Sequence, residues 1–242
     1  MSKNKKLKLK KKYKILLLNI ALITLGIIFL YSTFNTFKII YFSQKSDKEI
    51  VELIDKVITI EEYQEEGKTF EETKIDFSKL KSINNDVVGW IEIPNTNINY
   101  PILQTKDNKY YLNRDINKKY NINGSIYMNA KNSADFTDNN TIIFGHYTHK
   151  TSMFTELKKI YEGEYGKDIK INIFTEEGTS EYQIYSAYIT DPNDATVINK
   201  ETKYFEHSDK SFAEPNNKEK TLTLSTCYVN DSKRLVIHAI KI

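Results

Sequence analysis

The sequence predicts a mainly β domain, a barrel or sandwich of about eight short strands, with helices and a membrane-crossing segment on its N-terminal side. Three observations predict it. From residue 87 onward the chain consists of short β-branched and aromatic runs separated by turn residues such as Pro94-Asn95, Asn123-Gly124 and Glu177-Gly178. Residues 43–66 repeat apolar side chains at helical spacing. Residues 15–34, ILLLNIALITLGIIFLYSTF, carry no charge.

Residues 1–14 contain eight lysines and no acidic residue. The uncharged run after them is long enough, at the helical rise, to cross a hydrocarbon core of ~30 Å; Asn19 and Thr24 weaken it without ending it. The lysines are expected to stay cytoplasmic and the rest of the chain to be exported. A cleaved signal peptide is the alternative. The run shows no small-x-small cleavage site and ends in bulky Tyr31, Phe34 and Phe37, so an uncleaved anchor over 15–37 is expected, single-pass in the cell membrane. The net charge is +3, and without the eight lysines the remainder carries −5. The basic balance therefore belongs to the anchor and gives no reason to expect a nucleic-acid partner.

Within 43–66, Ile50, Leu53, Ile54, Val57 and Ile58 form one apolar helical stripe, a stalk or a helix packed on the domain. The charged stretch 65–74 reads as a loop. DFSKLKSIN (76–84) reads as a short helix with Asp76 as N-cap. The strands follow: VVGWIEIP, INYPILQ, GSIYMNA, TIIFGH, DIKINIFT, EYQIYSAYIT, TLTLSTC and RLVIHAIKI. Helical inserts are expected at 152–161, with Ser152 as N-cap, and within 196–213. The expected organisation is a basic tail (1–14), an anchor (15–37), a helical stalk (38–75) and one β domain (76–242).

Cys227 is the only cysteine. A lone thiol in an exported protein is either a small buried hydrophobe or a reactive group. Strand alternation decides against the first: Leu222 and Leu224 share one face, while Thr221, Thr223, Ser225 and Cys227 share the polar one. A thiol becomes a nucleophile when a base or positive charge favours the thiolate. Of the four histidines, His207 lies in a polar segment, and His238 lies roughly 13 Å along the last strand from Arg234. His146 ends TIIFGH at the mouth of an apolar strand and is the candidate partner. His146 and His149 have H-x-x-H spacing, but no third metal ligand is apparent. Arg234 is either a surface cap or, beside a thiolate, a permanent charge able to steady an oxyanion.

TLSTC (223–227) with Arg234 downstream, IIFGH (142–146) upstream and an N-terminal anchor together resemble the sortases, membrane-anchored transpeptidases of Gram-positive bacteria. VVGWIEIPNTNINYPILQ, YYLNRD, NGSIYMNA, SMFTELKKI and the long segment 191–219 resemble the class B subgroup, which carries a helix in that segment. The resemblance spans residues 45–242. It implies an eight-stranded β-barrel, with Cys227 as nucleophile, His146 as general acid/base and Arg234 stabilising the oxyanion or substrate. Ser225 and Thr226 are expected to line the substrate groove. The implied reaction cleaves a C-terminal sorting signal after Thr through a Cys thioester and transfers the protein to a peptidoglycan amine, without cofactor or metal. The implied partners are surface proteins with signals of the Asn-Pro-x-Thr or (Ser/Asn/Pro)-Pro-x-Thr-Gly type. An exported peptidase that only hydrolyses, a pilin-polymerising sortase, and a non-enzymatic scaffold on the same barrel are the alternatives. Two features depart from the family pattern. Only YVNDSK separates Cys227 from Arg234, and YTHKT follows where many class B members carry an Asn-Met-like pair after the histidine. His149 has no family role.

Overall fold

The computed structural model describes residues 3–65, 68–148, 152–192, 194, 199–202, 205–210, 212–213, 220–228 and 232–242. The chain divides into two units, Met1–Lys45 and Ser46–Ile242. Helix α1 (Lys3–Val57) begins in the first and ends in the second. No proline interrupts its sequence.

In the first unit, residues 10–34 are exposed. The helix is long and apolar enough to cross a membrane by length and composition, with a window of mean hydropathy 2.4. The hydroxyls of Thr24, Thr33 and Thr36 donate to the carbonyls of Ile20, Phe29 and Ser32 one turn back. The helix backbone thus satisfies these three hydroxyls.

The second unit opens with the end of α1, where Leu53 and Val57 are buried and Ile50 and Ile54 partly so. The expected stripe is the one that packs. The helix stops at Val57, however, and the expected helical and loop reading of 58–75 is corrected. Strand β1 (Ile58–Glu65) pairs antiparallel with β2 (Lys68–Ile75), from Ile58↔Ile75 to Glu65↔Lys68. The β-branched run Ile58-Thr59-Ile60 favours a strand, and Asp76 N–H closes the hairpin base on the Val57 carbonyl at 2.8 Å. Helix α2 (Phe77–Ile83) starts as the sequence predicts, with Asp76 accepting from Lys79 N–H at 2.9 Å.

All eight predicted β runs are strands: β3 (Val87–Glu92), β4 (Asn99–Leu103), β5 (Ile126–Met128), β6 (Asn140–Phe144), β7 (Lys170–Thr175), β8 (Gly178–Thr190), β9 (Thr221–Tyr228) and β10 (Lys233–Lys241). They close a barrel in the order β10-β8-β7-β3-β4-β5-β6-β9. Pairing is antiparallel except at β4–β5 and β6–β9. Alternation sorts the side chains. Ile91, Ile102, Ile126, Ile143, Leu222, Leu224, Leu235 and Ile237 fill the interior and are fully or almost fully buried. Each contributes about 1.5–3 kcal/mol by leaving water. The opposite parity faces outward. There Trp90, Leu103, Tyr127 and Phe174 pack with Leu53, Val57 and Leu80.

Helix α3 (Leu157–Glu162) is shorter than expected, and Glu156, not Ser152, stands at its cap. Met153 has φ 54°, a left-handed residue that a helix over 152–161 does not admit. The Ser152 hydroxyl instead lies 3.1 Å from that of Thr148. Between β8 and β9, residues 199–202, 205–210 and 212–213 form turns and irregular backbone. The remaining positions where a helix is expected in this segment lie outside the described residues.

Candidate active site

Strands β6, β9 and β10 are neighbours in the barrel, and each brings one candidate side chain to the same end. In the parallel β6–β9 pair, Phe144 is opposite Ser225 and Gly145 N–H donates to the Ser225 carbonyl at 3.3 Å. Two residues further on, that register sets His146 level with Cys227. In the β9–β10 hairpin Arg234 is directly opposite Cys227. The Arg234 guanidinium donates through Nη1 to Cys227 Sγ at 2.9 Å. The short connection of six residues therefore returns the arginine to the cysteine. All three side chains are half-buried, reachable from solvent yet partly shielded from it. A guanidinium this close favours the thiolate over the thiol.

His146 is fixed from both sides. Its Nε2 lies 2.5 Å from the Leu112 carbonyl, which can only accept, so Nε2 carries a proton and Nδ1 is the nitrogen free to exchange one. Leu112 is in a 3-10 turn (Tyr110–Asn113). Gly124 packs on that turn with φ +59°, where a Cβ would meet the Leu112 carbonyl oxygen at 2.5 Å. On the other side the His146 carbonyl accepts from Phe154 N–H at 3.1 Å, and Thr148 N–H donates to Thr155 Oγ1 at 2.8 Å. The backbone after the histidine is thus held although its sequence departs from the class B pattern. His149 lies outside the described residues.

Ser225 and Thr226 separate. Ser225 shares the outward face with Cys227. Thr226 has the parity of Leu222 and Leu224, is 2 % exposed, and its hydroxyl finds no partner among the described residues. Ser225 is 2 % exposed as well, so the two differ in the face they take on the strand and not in burial.

His238 is outside the site, as the sequence spacing indicates. It is fully buried on the outer face, with Nε2 3.0 Å from the Tyr188 hydroxyl and Nδ1 2.8 Å from Thr223 Oγ1. Burial pushes its pKa down to about 3. The Phe205 ring stacks on it at 4.0 Å. His207 sits edge-on to Tyr188 at 4.7 Å, away from Cys227.

Sequence reasoning missed two contributors. The Leu112 carbonyl has no side-chain signature at all. Tyr127 was legible only through parity: it alternates with the buried Ile126 and Met128 and so faces outward with Phe144, their rings 5.4 Å apart. Burial raises its phenol pKa, the Cys227 charge raises it further and Arg234 opposes.

Together these elements make a polarised thiol, a tautomer-fixed imidazole and a guanidinium at one end of an eight-stranded barrel, an arrangement suited to acyl transfer. The comparisons agree. The model of the sortase domain matches residues 91–242. Sortase B of Staphylococcus aureus is 33% identical over 184 residues, 70% of this chain and 75% of that protein. Sortase B of Listeria monocytogenes is 34% identical over 175 residues, 64% of this chain and 68% of that protein. Among solved structures, sortase B from Bacillus anthracis in complex with AAEK1 superposes with a TM-score of 0.66 at 29% identity, covering 84% of this chain and 99% of that one. The Staphylococcus aureus sortase B–substrate complex gives 0.60 at 32% identity, covering 69% and 84%. The barrel, the cysteine at the end of its strand and these likenesses agree that this chain belongs to the sortase family, as a class B-type cysteine transpeptidase.

Proposed function

We propose that the protein is a membrane-anchored sortase that cleaves the C-terminal sorting signal of exported proteins after Thr and transfers them to a peptidoglycan amine. Residues 15–37 form the anchor, residues 1–14 a cytoplasmic tail, and residues 76–242 the extracellular catalytic domain, on which the end of α1 packs through Leu53 and Val57. The observation that carries this reading is the 2.9 Å contact of Arg234 with Cys227 Sγ, beside the strand that leads into His146.

The chemistry follows from these positions. Cys227 Sγ attacks the threonine carbonyl carbon as thiolate, and the oxyanion that forms is stabilised by Arg234. The C–N bond breaks as His146 gives a proton to the departing amine through Nδ1, leaving a thioester. An incoming amine loses its proton to His146, attacks the same carbon and expels the thiolate. Ser225, on the same face, borders the bound signal. The S. aureus relative is known with a bound substrate, which supports a sorting-signal peptide as the ligand of this chain's groove.

The test uses the full chain in detergent micelles with quenched fluorescent peptides of the Asn-Pro-x-Thr and (Ser/Asn/Pro)-Pro-x-Thr-Gly types, with and without a diaminopimelate or oligoglycine amine. Cleavage after Thr, with the amine found in the product, is expected. Hydrolysis unaffected by any amine would make the protein a peptidase. No cleavage of any peptide by a folded chain would overturn the reading.

A further inference from the structure

Cys227, His146 and Arg234 account for bond making and breaking; they do not hold the rest of an extended peptide over the barrel face. Tyr127 stands where such a hold is needed. It lies on β5, two strands from Cys227 in the order β5-β6-β9, a lateral separation of about 10 Å between backbones. The charge of Cys227 acts on its phenol across that gap. Its outward parity is that of Phe144, Ser225 and Cys227, and the register steps from Tyr127↔Phe144 to Phe144↔Ser225. The ring is 7 % exposed and fixed against Phe144. A tyrosine buried to this degree ordinarily commits its hydroxyl to a hydrogen bond. That of Tyr127 makes none with the described residues, and it is not among the fully buried side-chain atoms that lack a partner, so it opens toward the surface. It is a donor without an acceptor, set beside the nucleophile.

We propose that the Tyr127 hydroxyl donates a hydrogen bond to a backbone carbonyl of the bound sorting signal within two residues of the scissile bond, and so sets the register of the peptide over Cys227. The inference rests on the reading of Cys227 as nucleophile toward such peptides. The acceptor is an uncharged peptide carbonyl. The phenol stays protonated, because burial and the negative sulfur both raise its pKa, so it can donate throughout the working pH range. In an extended peptide, carbonyls recur about every 3.3 Å, so a donor offset laterally from Sγ meets a neighbouring residue and not the scissile carbonyl itself. Tyr127 is thereby a substrate-positioning residue.

The experiment compares the wild-type chain with Tyr127→Phe on a peptide that the wild type cleaves, and on a set in which each backbone amide within two residues of the threonine is replaced in turn by an ester, a weaker acceptor. Tyr127→Phe should raise KM about fivefold, the loss of one neutral hydrogen bond. It should leave the rate of Cys227 alkylation by iodoacetamide unchanged, since the ring and its packing remain. One ester position should weaken cleavage by the wild type and have no effect on Tyr127→Phe. Phe144→Leu, which removes the ring contact but keeps the hydroxyl, should retain that ester sensitivity. Wild-type kinetics in Tyr127→Phe would overturn the inference, as would equal ester effects in both chains, while leaving Cys227 chemistry intact. Failure of the wild type to cleave any sorting-signal peptide would overturn the functional reading and this inference together.

Discussion

Lowering the pH from 7 to 5 should remove about 2 kcal/mol of folding stability through His238 alone. In the fold this imidazole is neutral. Tyr188 and Thr223 occupy both its nitrogens, and Phe205 covers one face. Tyr185 lies 6.2 Å away, and His207 packs on the far side of the contact, against Tyr188. None of these groups offers the negative charge that an imidazolium would need. The unfolded chain takes up this proton near pH 6.5, while the folded chain does so only near 3. Between those values the unfolded state binds the extra proton, so stability is full above pH 6.5 and falls as pH falls. The slope is about 1.36 kcal/mol per pH unit. Urea unfolding of the full chain in detergent at pH 7, 6 and 5, set beside His238→Gln, isolates the effect because other titrations are common to both. The variant should be the less stable at pH 7, and its deficit should shrink by about 2 kcal/mol by pH 5. A deficit that stays constant with pH would refute the reasoning.

Cys227→Ala should keep the melting temperature of the parent chain and lose all sorting-peptide cleavage; residual turnover would remove the cysteine from its role. Arg234→Lys keeps the charge but loses the planar fork that reaches Sγ, and kcat should fall by on the order of 10²-fold in the fluorescent assay. In Gly145→Ala the new Cβ would stand 2.5 Å from Ile126 and 2.7 Å from the buried Phe154 ring. Thermal unfolding should show a loss of about 1–3 kcal/mol. Gly124→Ala would push against the carbonyl that holds His146, so kcat should drop by on the order of 10²-fold, read beside an intact circular dichroism spectrum.

The barrel was legible because its strands alternate so regularly. Each of the β runs from VVGWIEIP to RLVIHAIKI is a strand, and the same alternation set Cys227 on the outer face. The site was legible in part for the same reason: glycine then histidine at the end of TIIF, and a hairpin too short to carry Arg234 away. The hairpin β1–β2 was not legible, because Ile58 continues the helical stripe of Ile50, Leu53, Ile54 and Val57 and the charged residues beyond hide a strand period. Ser152 resembled an N-cap, but the left-handed Met153 is a backbone event without a sequence signal. The Leu112 carbonyl was invisible, since a main-chain acceptor can belong to any residue.

The most direct test of the central claim is intact-mass analysis of the full chain mixed with a cleaved sorting-signal peptide. A mass gain equal to the peptide through its threonine, absent in Cys227→Ala and discharged by an added amine into an amide product, is predicted. A chain that cleaves the peptide with no such adduct, or that carries one in Cys227→Ala, would contradict an acyl transfer through this cysteine.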